Sequence, residues 1–131
     1  SPADLDAILD ALAPGAPSPE LRIAIVGLDN ALLGTIGFHT LNARHASAEL
    51  AYELSPEVWG QGIATAVARQ VTAWGLQQFG WQRIQATVLD TNSASARVLL
   101  KCGFMLEGRL RNLRRVGGAS RDFDVYSLVP A

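Results

Sequence analysis

Cysteine, histidine and methionine are scarce in this chain, which has one Cys, two His and one Met among 131 residues. A lone cysteine, Cys102, excludes an internal disulfide framework and a cysteine-built zinc site. Its place beside Gly103-Phe104 reads as a buried, inert thiol. With no histidine near it in sequence, a covalent step on this thiol is not expected. His39 and His45 stand apart, so each reads as an ordinary strand or loop residue, and no metal is expected. An excess of one charge sign is also missing. The 11 basic and 12 acidic residues leave a net charge of -1, which gives no electrostatic footprint for nucleic acid. The local cluster Arg109, Arg111, Arg114 and Arg115 reads as a solvated strand and loop. No apolar run reaches the ~18 residues of a membrane span, and no basic-then-apolar leader opens the chain. These absences set the expectations: a cytoplasmic protein whose partners include neither membrane nor nucleic acid.

What is present is apolar and periodic. Hydrophobic residues make up 49% of the chain, enough to build the core of a single domain over 1–131. Leu5, Ile8, Leu9 and Leu12 fall on one face of a short helix over 3–12, followed by a Pro/Gly loop over 13–19. Strands are expected over 21–28, 32–41 and 46–55, an antiparallel meander with Asp29-Asn30 as its first turn. From Gly62 to Phe79 the period changes: Ile63, Val67, Val71 and Trp74 predict a helix with one buried face, ended by Gly80. A strand over 83–89 follows, then a helix over 93–102 stopped by Gly103. Strands over 104–116 and 122–129 close the chain around Gly117-Gly118. Strand, helix, strand in the middle implies a parallel pair joined by a crossover. The fold class is therefore α+β: a mixed, mostly antiparallel sheet with one central βαβ unit.

Two stretches carry chemistry. Trp59-Gly60-Gln61-Gly62-Ile63-Ala64-Thr65 joins a strand to a helix. Glycines there let backbone N–H groups converge, and the helix start adds its positive dipole end, a combination suited to a pyrophosphate. It is neither a dinucleotide fingerprint, since Thr65 stands where a third glycine belongs, nor a Walker loop, since no Gly-Lys-Ser/Thr follows. Ser55-Pro56 just before it halts strand pairing, so the third strand is expected to splay from its parallel neighbour and admit an extended ligand arm. The second stretch, Asp90-Thr91-Asn92-Ser93-Ala94-Ser95, lies at the carboxyl end of the parallel strand, where ligands of parallel sheets commonly sit. Asn92 or Ser93 is also expected to cap the following helix.

The order of these motifs, L-S-P-E-V-W-G-Q-G-I-A-T and then N-S-A-S-A-R-V-L-L-K-C-G-F, resembles the GNAT superfamily of acetyl-CoA-dependent N-acetyltransferases over residues 21–129. The tail, through Asn92, Ser95, Lys101, Gly103-Phe104 and Gly108, is similar to the RimJ/RimL-like branch that acetylates ribosomal-protein N-termini. The resemblance implies acetyl-CoA as co-substrate and a primary amine as acceptor, attacked on the thioester directly. It implies that residues 59–65 hold the pyrophosphate, and that the backbone of Tyr52 to Leu54 holds the pantetheine arm with Asn92 opposite. Glu49 matches the family's recurrent strand glutamate and is the first choice for the group that positions a deprotonating water. Glu53, two positions beyond Ala51 on the same strand face, is the other. Ser95 is expected to face the departing thiolate.

Two departures stand out. The tyrosine that many members place on the second helix is replaced by Leu99. The family's first strand, which should precede the 3–12 helix, is missing from the front, and an edge left unpaired in that way favours a homodimer. Two other readings stay open: acetylation of a small-molecule amine, and a non-catalytic module that binds acyl-CoA.

Overall fold

The computed structural model describes residues 20–131; the helix and loop expected over 3–12 and 13–19 lie outside the described residues. The elements in chain order are β1 (Leu21–Val26), β2 (Leu32–Asn42), β3 (Ser47–Leu54), a short 3-10 turn (Pro56–Val58), α1 (Ile63–Phe79), β4 (Arg83–Leu89), α2 (Ser93–Lys101), β5 (Met105–Val116) and β6 (Ala119–Leu128). Among the described residues the strands form one six-stranded sheet in the order β1-β2-β3-β4-β6-β5. Every neighbouring pair is antiparallel except β3 and β4. This is the expected mixed α+β sheet with a single parallel pair.

Where boundaries differ from expectation, local turn chemistry explains it. β1 ends at Val26 because residues 27–31 close a turn, with Gly27 N–H donating to Ala31 O at 2.9 Å and Asn30 in the left-handed region at φ 64°. β6 begins at Ala119, three residues earlier than expected. Gly117 (φ 61°) and Gly118 (φ 83°) make a two-residue turn, so pairing starts at once with Val116 opposite Ala119. Two consecutive positive φ values suit the twist of a tight hairpin, and glycine adopts them without steric cost.

The core lies between one face of the sheet and the two helices. Ile36, Phe38, Leu50, Ile84, Ala86, Val88 and Tyr126 meet Ala68, Leu99 and Phe104 there. Phe38 and Trp81 pack edge to face at 4.8 Å, and Phe79 stacks on Trp81 at 4.7 Å. Burial of a side chain such as Phe38 contributes about 1.5–3 kcal/mol.

The buried face of α1 is a correction to the sequence reading. Ala68, Thr72 and Gly75 are its buried residues. Val67 and Val71 only flank the core, and Trp74 is exposed. Small residues bring the helix axis close to β2. Thr72 tolerates burial because its hydroxyl donates to the Ala68 carbonyl at 2.7 Å. At Gly75 an added Cβ would lie 2.8 Å from the Trp81 ring and 3.1 Å from Phe38. Two effects compete in Gly75→Ala. Helix propensity favours alanine by about 1 kcal/mol, whereas overpacking a filled core costs about 1–3 kcal/mol. Both rings are locked in aromatic contacts, so overpacking wins. Gly75→Ala is expected to lower the midpoint of urea unfolding with an unchanged slope; a raised midpoint would contradict this packing.

Candidate functional site

The parallel pair is short. β3 and β4 are in register only at Ser47 with Arg83, Ala48 with Ile84 and Glu49 with Gln85. Beyond that row β3 runs on to Leu54 and β4 to Leu89, unpaired with each other. At the far end Ser55 N–H turns away to Leu33 O on the β2 side, at 2.7 Å. Backbone groups alternate direction along a strand, so the N–H of Leu54 and the N–H and C=O of Tyr52 face the gap. The Leu54 carbonyl accepts from the Trp59 indole N–H at 2.7 Å. That bond ties the loop after β3 to the strand's end.

Gly60 (φ 77°) and Gly62 (φ 75°) both sit in the left-handed region. Gly62 caps α1 with no side-chain hydrogen bond, and the helical ladder begins with Ala66 N–H to Gly62 O at 3.0 Å. The N–H groups of Ile63, Ala64 and Thr65 therefore precede the ladder and carry the positive end of a 17-residue helix. Among the described residues, and apart from its chain neighbours, a Cβ added at Gly60 or Gly62 would meet no atom within 4 Å. Packing does not demand glycine here. Backbone conformation does, and so does close approach of a ligand.

α2 forms the opposite wall. Asn92 Oδ1 caps it, accepting from Ser95 N–H at 3.1 Å. The phenol of Tyr52 reaches across from β3 to Ser95 Oγ at 2.8 Å. Burial pushes the Tyr52 phenol up from its ordinary value, with the Ser95 bond opposing. The walls enclose a cleft of about 410 Å³, lined by Tyr52, Leu54, residues 58–60 and 62–65 of the loop and helix start, and the α2 face. That volume lies in the range of small-molecule sites, roughly 300–1,000 Å³. Among the described residues no carboxylate lines it, whereas Arg97 and Lys101 do. Two helix starts and two cations make the cleft favourable to anions.

Glu49 lies on the other face of the sheet, beside the point where the strands part. Its Oε1 accepts from Gln85 Nε2 at 3.2 Å, and its Oε2 lies 3.7 Å from His39 Nε2. His39, Glu49, Gln85 and Ser127 occupy one register row across four strands. The row continues through Arg83 and Glu107. Arg83 first, and then the Ser127 hydroxyl, hold the Glu107 carboxyl below its ordinary value. Glu53, on the same face as Glu49, is exposed.

Of the residues singled out from sequence, Tyr52, Leu54, Trp59, Gly60, Gly62, Ile63, Ala64, Thr65, Asn92 and Ser95 line the one cleft. Gln61 is exposed beside it, and Glu49 sits behind it. The sequence reading missed Val58, Ala94, Arg97, Val98 and Lys101 as lining residues. A signal existed for most of them: 94, 97, 98 and 101 share one helical face by the i, i+3, i+4, i+7 rule. Cys102 donates to the Thr65 carbonyl at 3.6 Å, and burial pushes its thiol up, with Arg69 opposing. Among the described residues no cluster of His, Cys, Asp or Glu is arranged to hold a metal ion, and no helix is long and apolar enough to cross a membrane.

Comparison with known proteins gives this geometry a family. Residues 1–105 match the acetyltransferase (GNAT) domain profile. The chain is 46% identical over 98 residues to the uncharacterized N-acetyltransferase YoaA of Bacillus subtilis (strain 168), covering 75% of this chain and 55% of YoaA. It therefore spans about half the length of that relative. The ribosomal-protein-S5-alanine acetyltransferase of Vibrio fischeri superposes with a TM-score of 0.84 at 21% identity, over 97% of this chain and 67% of its own. The spermidine N-acetyltransferase of Vibrio cholerae, solved with CoA and spermine, superposes with a TM-score of 0.79 at 22% identity, over 98% of this chain and 75% of its own. At those identities the two structures establish the likeness of fold. With the profile matching most of its length, the chain belongs to the acetyltransferase (GNAT) domain family.

Proposed function

We propose that the protein transfers acetyl from acetyl-CoA to a primary amine, the α-amine of a protein N-terminus, by direct attack. The observation that carries this reading is the parting of β3 from β4 beyond Glu49 and Gln85. The gap joins an anion-favouring cleft on one face to a glutamate on the other. Acetyl-CoA would supply the activated thioester, and every remaining task falls to this chain. The N–H groups of residues 63–65 would hold the pyrophosphate, with Arg97 and Lys101 alongside. The freed backbone of Tyr52 and Leu54 would bond the amide groups of the arm, as an added strand does. One such N–H, directed at the thioester carbonyl, would stabilise the developing oxyanion by about 3 kcal/mol.

Deprotonation sets a modest demand. An α-amine titrates near ~8, so about a tenth is neutral at pH 7, whereas a lysine amine near ~10.4 is neutral in well under a thousandth of molecules. Glu49, which accepts from Gln85 Nε2, would position a water for that step.

One charge on the acceptor face, Arg114, supports a peptide over a polyamine. A polycation calls for carboxylates along its length. Here Glu49 and Glu53 lie on β3, Arg83 is paired with Glu107 at 2.7 Å, and Arg114 bonds Thr87 Oγ1 at 3.1 Å while lying 5.0 Å over the Phe123 ring. The Arg114 guanidinium would repel a second ammonium nearby and could donate to the carbonyls of a peptide. Thiol release should be measured with N-terminal peptides and with spermidine. The expected kcat/KM is at least about tenfold higher for the better peptides, the value of one 1.4 kcal/mol contact. Faster turnover of spermidine would overturn the peptide assignment. Binding of acetyl-CoA without turnover of any amine would overturn catalysis.

A further inference from the structure

Many members of the family carry a tyrosine on α2 as the acid for the leaving sulfur; here Leu99 stands at that position, buried in the core at 1% exposure, and the RimJ/RimL-like resemblance puts Ser95 near the sulfur instead. No hydroxyl can act from that position. Yet a tyrosine hydroxyl does reach this wall of the cleft, from the opposite strand. Tyr52 and Ser95, separated by 43 positions in sequence, meet through a 2.8 Å hydrogen bond, and both line the cleft. Ser95 Oγ sits in the first turn of α2, where the capped helix start favours negative charge nearby. We propose that Tyr52 and Ser95 act as a two-hydroxyl relay, Ser95 donating to the departing sulfur and Tyr52 replenishing Ser95. The proposal rests on the acetyltransfer reading above.

The step balances as follows. When the carbon–sulfur bond breaks, its electron pair goes to sulfur. Ser95 Oγ–H passes its proton to that sulfur, and Tyr52 Oη–H passes its own to Ser95 Oγ. Tyr52 recovers a proton from solvent, matching the one the attacking amine has lost, so no oxidant or further reactant is needed. Burial serves the role. A phenol pushed up from its ordinary value stays protonated across the working pH range and remains a donor. The charged and titratable groups around it are Cys102 at the end of α2 and the cleft cations Arg97 and Lys101. With a neutral core residue at 99, the donor on α2 is Ser95, and the hydroxyl that replenishes it comes from β3.

Two readouts test this. The first is kinetic. Tyr52→Phe keeps the ring and removes the hydroxyl. It is expected to lower kcat by about tenfold, less than the ~10²–10⁴ of a complete acid–base group, with the affinity for CoA measured by calorimetry unchanged. Ser95→Ala is expected to cost at least as much. The double variant should be no slower than the slower single one, because the two hydroxyls act in series. A kcat within about twofold of wild type, a loss confined to CoA affinity, or additive effects would overturn the relay.

The second readout does not depend on turnover. The chain has two tyrosines, so isotope labelling at tyrosine Cζ gives two resonances, assigned by Tyr52→Phe. The Tyr52 resonance is expected to shift on binding CoA and to shift less on binding desulfo-CoA, with the difference abolished in Ser95→Ala. Equal shifts with both ligands would overturn the relay. Absence of wild-type turnover would overturn the acetyltransfer reading, and this resonance would still decide whether the thiol meets the hydroxyl pair.

Discussion

Glu49→Gln is expected to lower the kcat for an N-terminal peptide by about 10²-fold at pH 7, the lower end of the range for a positioned base. The substitution keeps the size and planarity of the group, so the contacts of the row His39-Glu49-Gln85 change little in shape. What is lost is an acceptor able to orient a water toward the amine proton. The lower end of the range applies because an α-amine is already about one tenth neutral at pH 7. The defect should therefore shrink with pH. Near pH 9 most of the amine is neutral without help, and the gap between variant and wild type should narrow to about tenfold or less. Glu53→Gln, on the same strand face but exposed, is expected to leave kcat within about twofold, as for a solvated surface group. Unchanged turnover in Glu49→Gln, or a defect that stays constant with pH, would count against a deprotonating role.

Gly62→Val should have an effect of similar size on a different quantity, the affinity for acetyl-CoA. At φ 75° and ψ 3° a β-branched residue is strained by roughly 1–2 kcal/mol. The loop relieves that strain by leaving the left-handed region, and the N–H groups of residues 63–65 then lose their common direction. Each charge-assisted bond lost to a phosphate oxygen costs about 1.5–3 kcal/mol, so affinity should fall by about 10²-fold or more. Among the described residues a Cβ at 62 meets no atom within 4 Å apart from its chain neighbours, so the unfolding midpoint should fall only modestly. Ala at Gly108 is a useful control. Its Cβ also meets nothing within 4 Å, but its φ lies outside the left-handed region, so CoA affinity should not change.

Much of this arrangement was legible in the residues, for identifiable reasons. Strand and helix order followed from a change of period at Gly62. The cleft loop followed from two glycines at a strand-to-helix junction, a place where backbone conformation rather than packing selects the residue. What escaped was of two kinds. The buried stripe of α1 consists of Ala68, Thr72 and Gly75, small residues that carry little hydrophobic signal. They decide the helix position because they are small. The second kind is non-local. Nothing in the chain announces that Tyr52 and Ser95 touch, because their meeting depends on how far β3 diverges and where α2 begins. The cationic face of α2, Arg97 and Lys101, lay between these cases: helical spacing groups the two residues, but only the sheet decides which face turns toward the cleft.

All of these roles depend on a glycine-shaped helix start and a pair of parted strands taking up a CoA thioester. Calorimetric titration of acetyl-CoA into the folded 131-residue chain tests this most directly. The account predicts saturable uptake of one molecule per chain, with a dissociation constant in the ~1 μM to 1 mM range of ordinary substrates, and marked weakening by Gly62→Val. A folded wild-type chain that gives no binding heat at millimolar acetyl-CoA, at two temperatures, would contradict it.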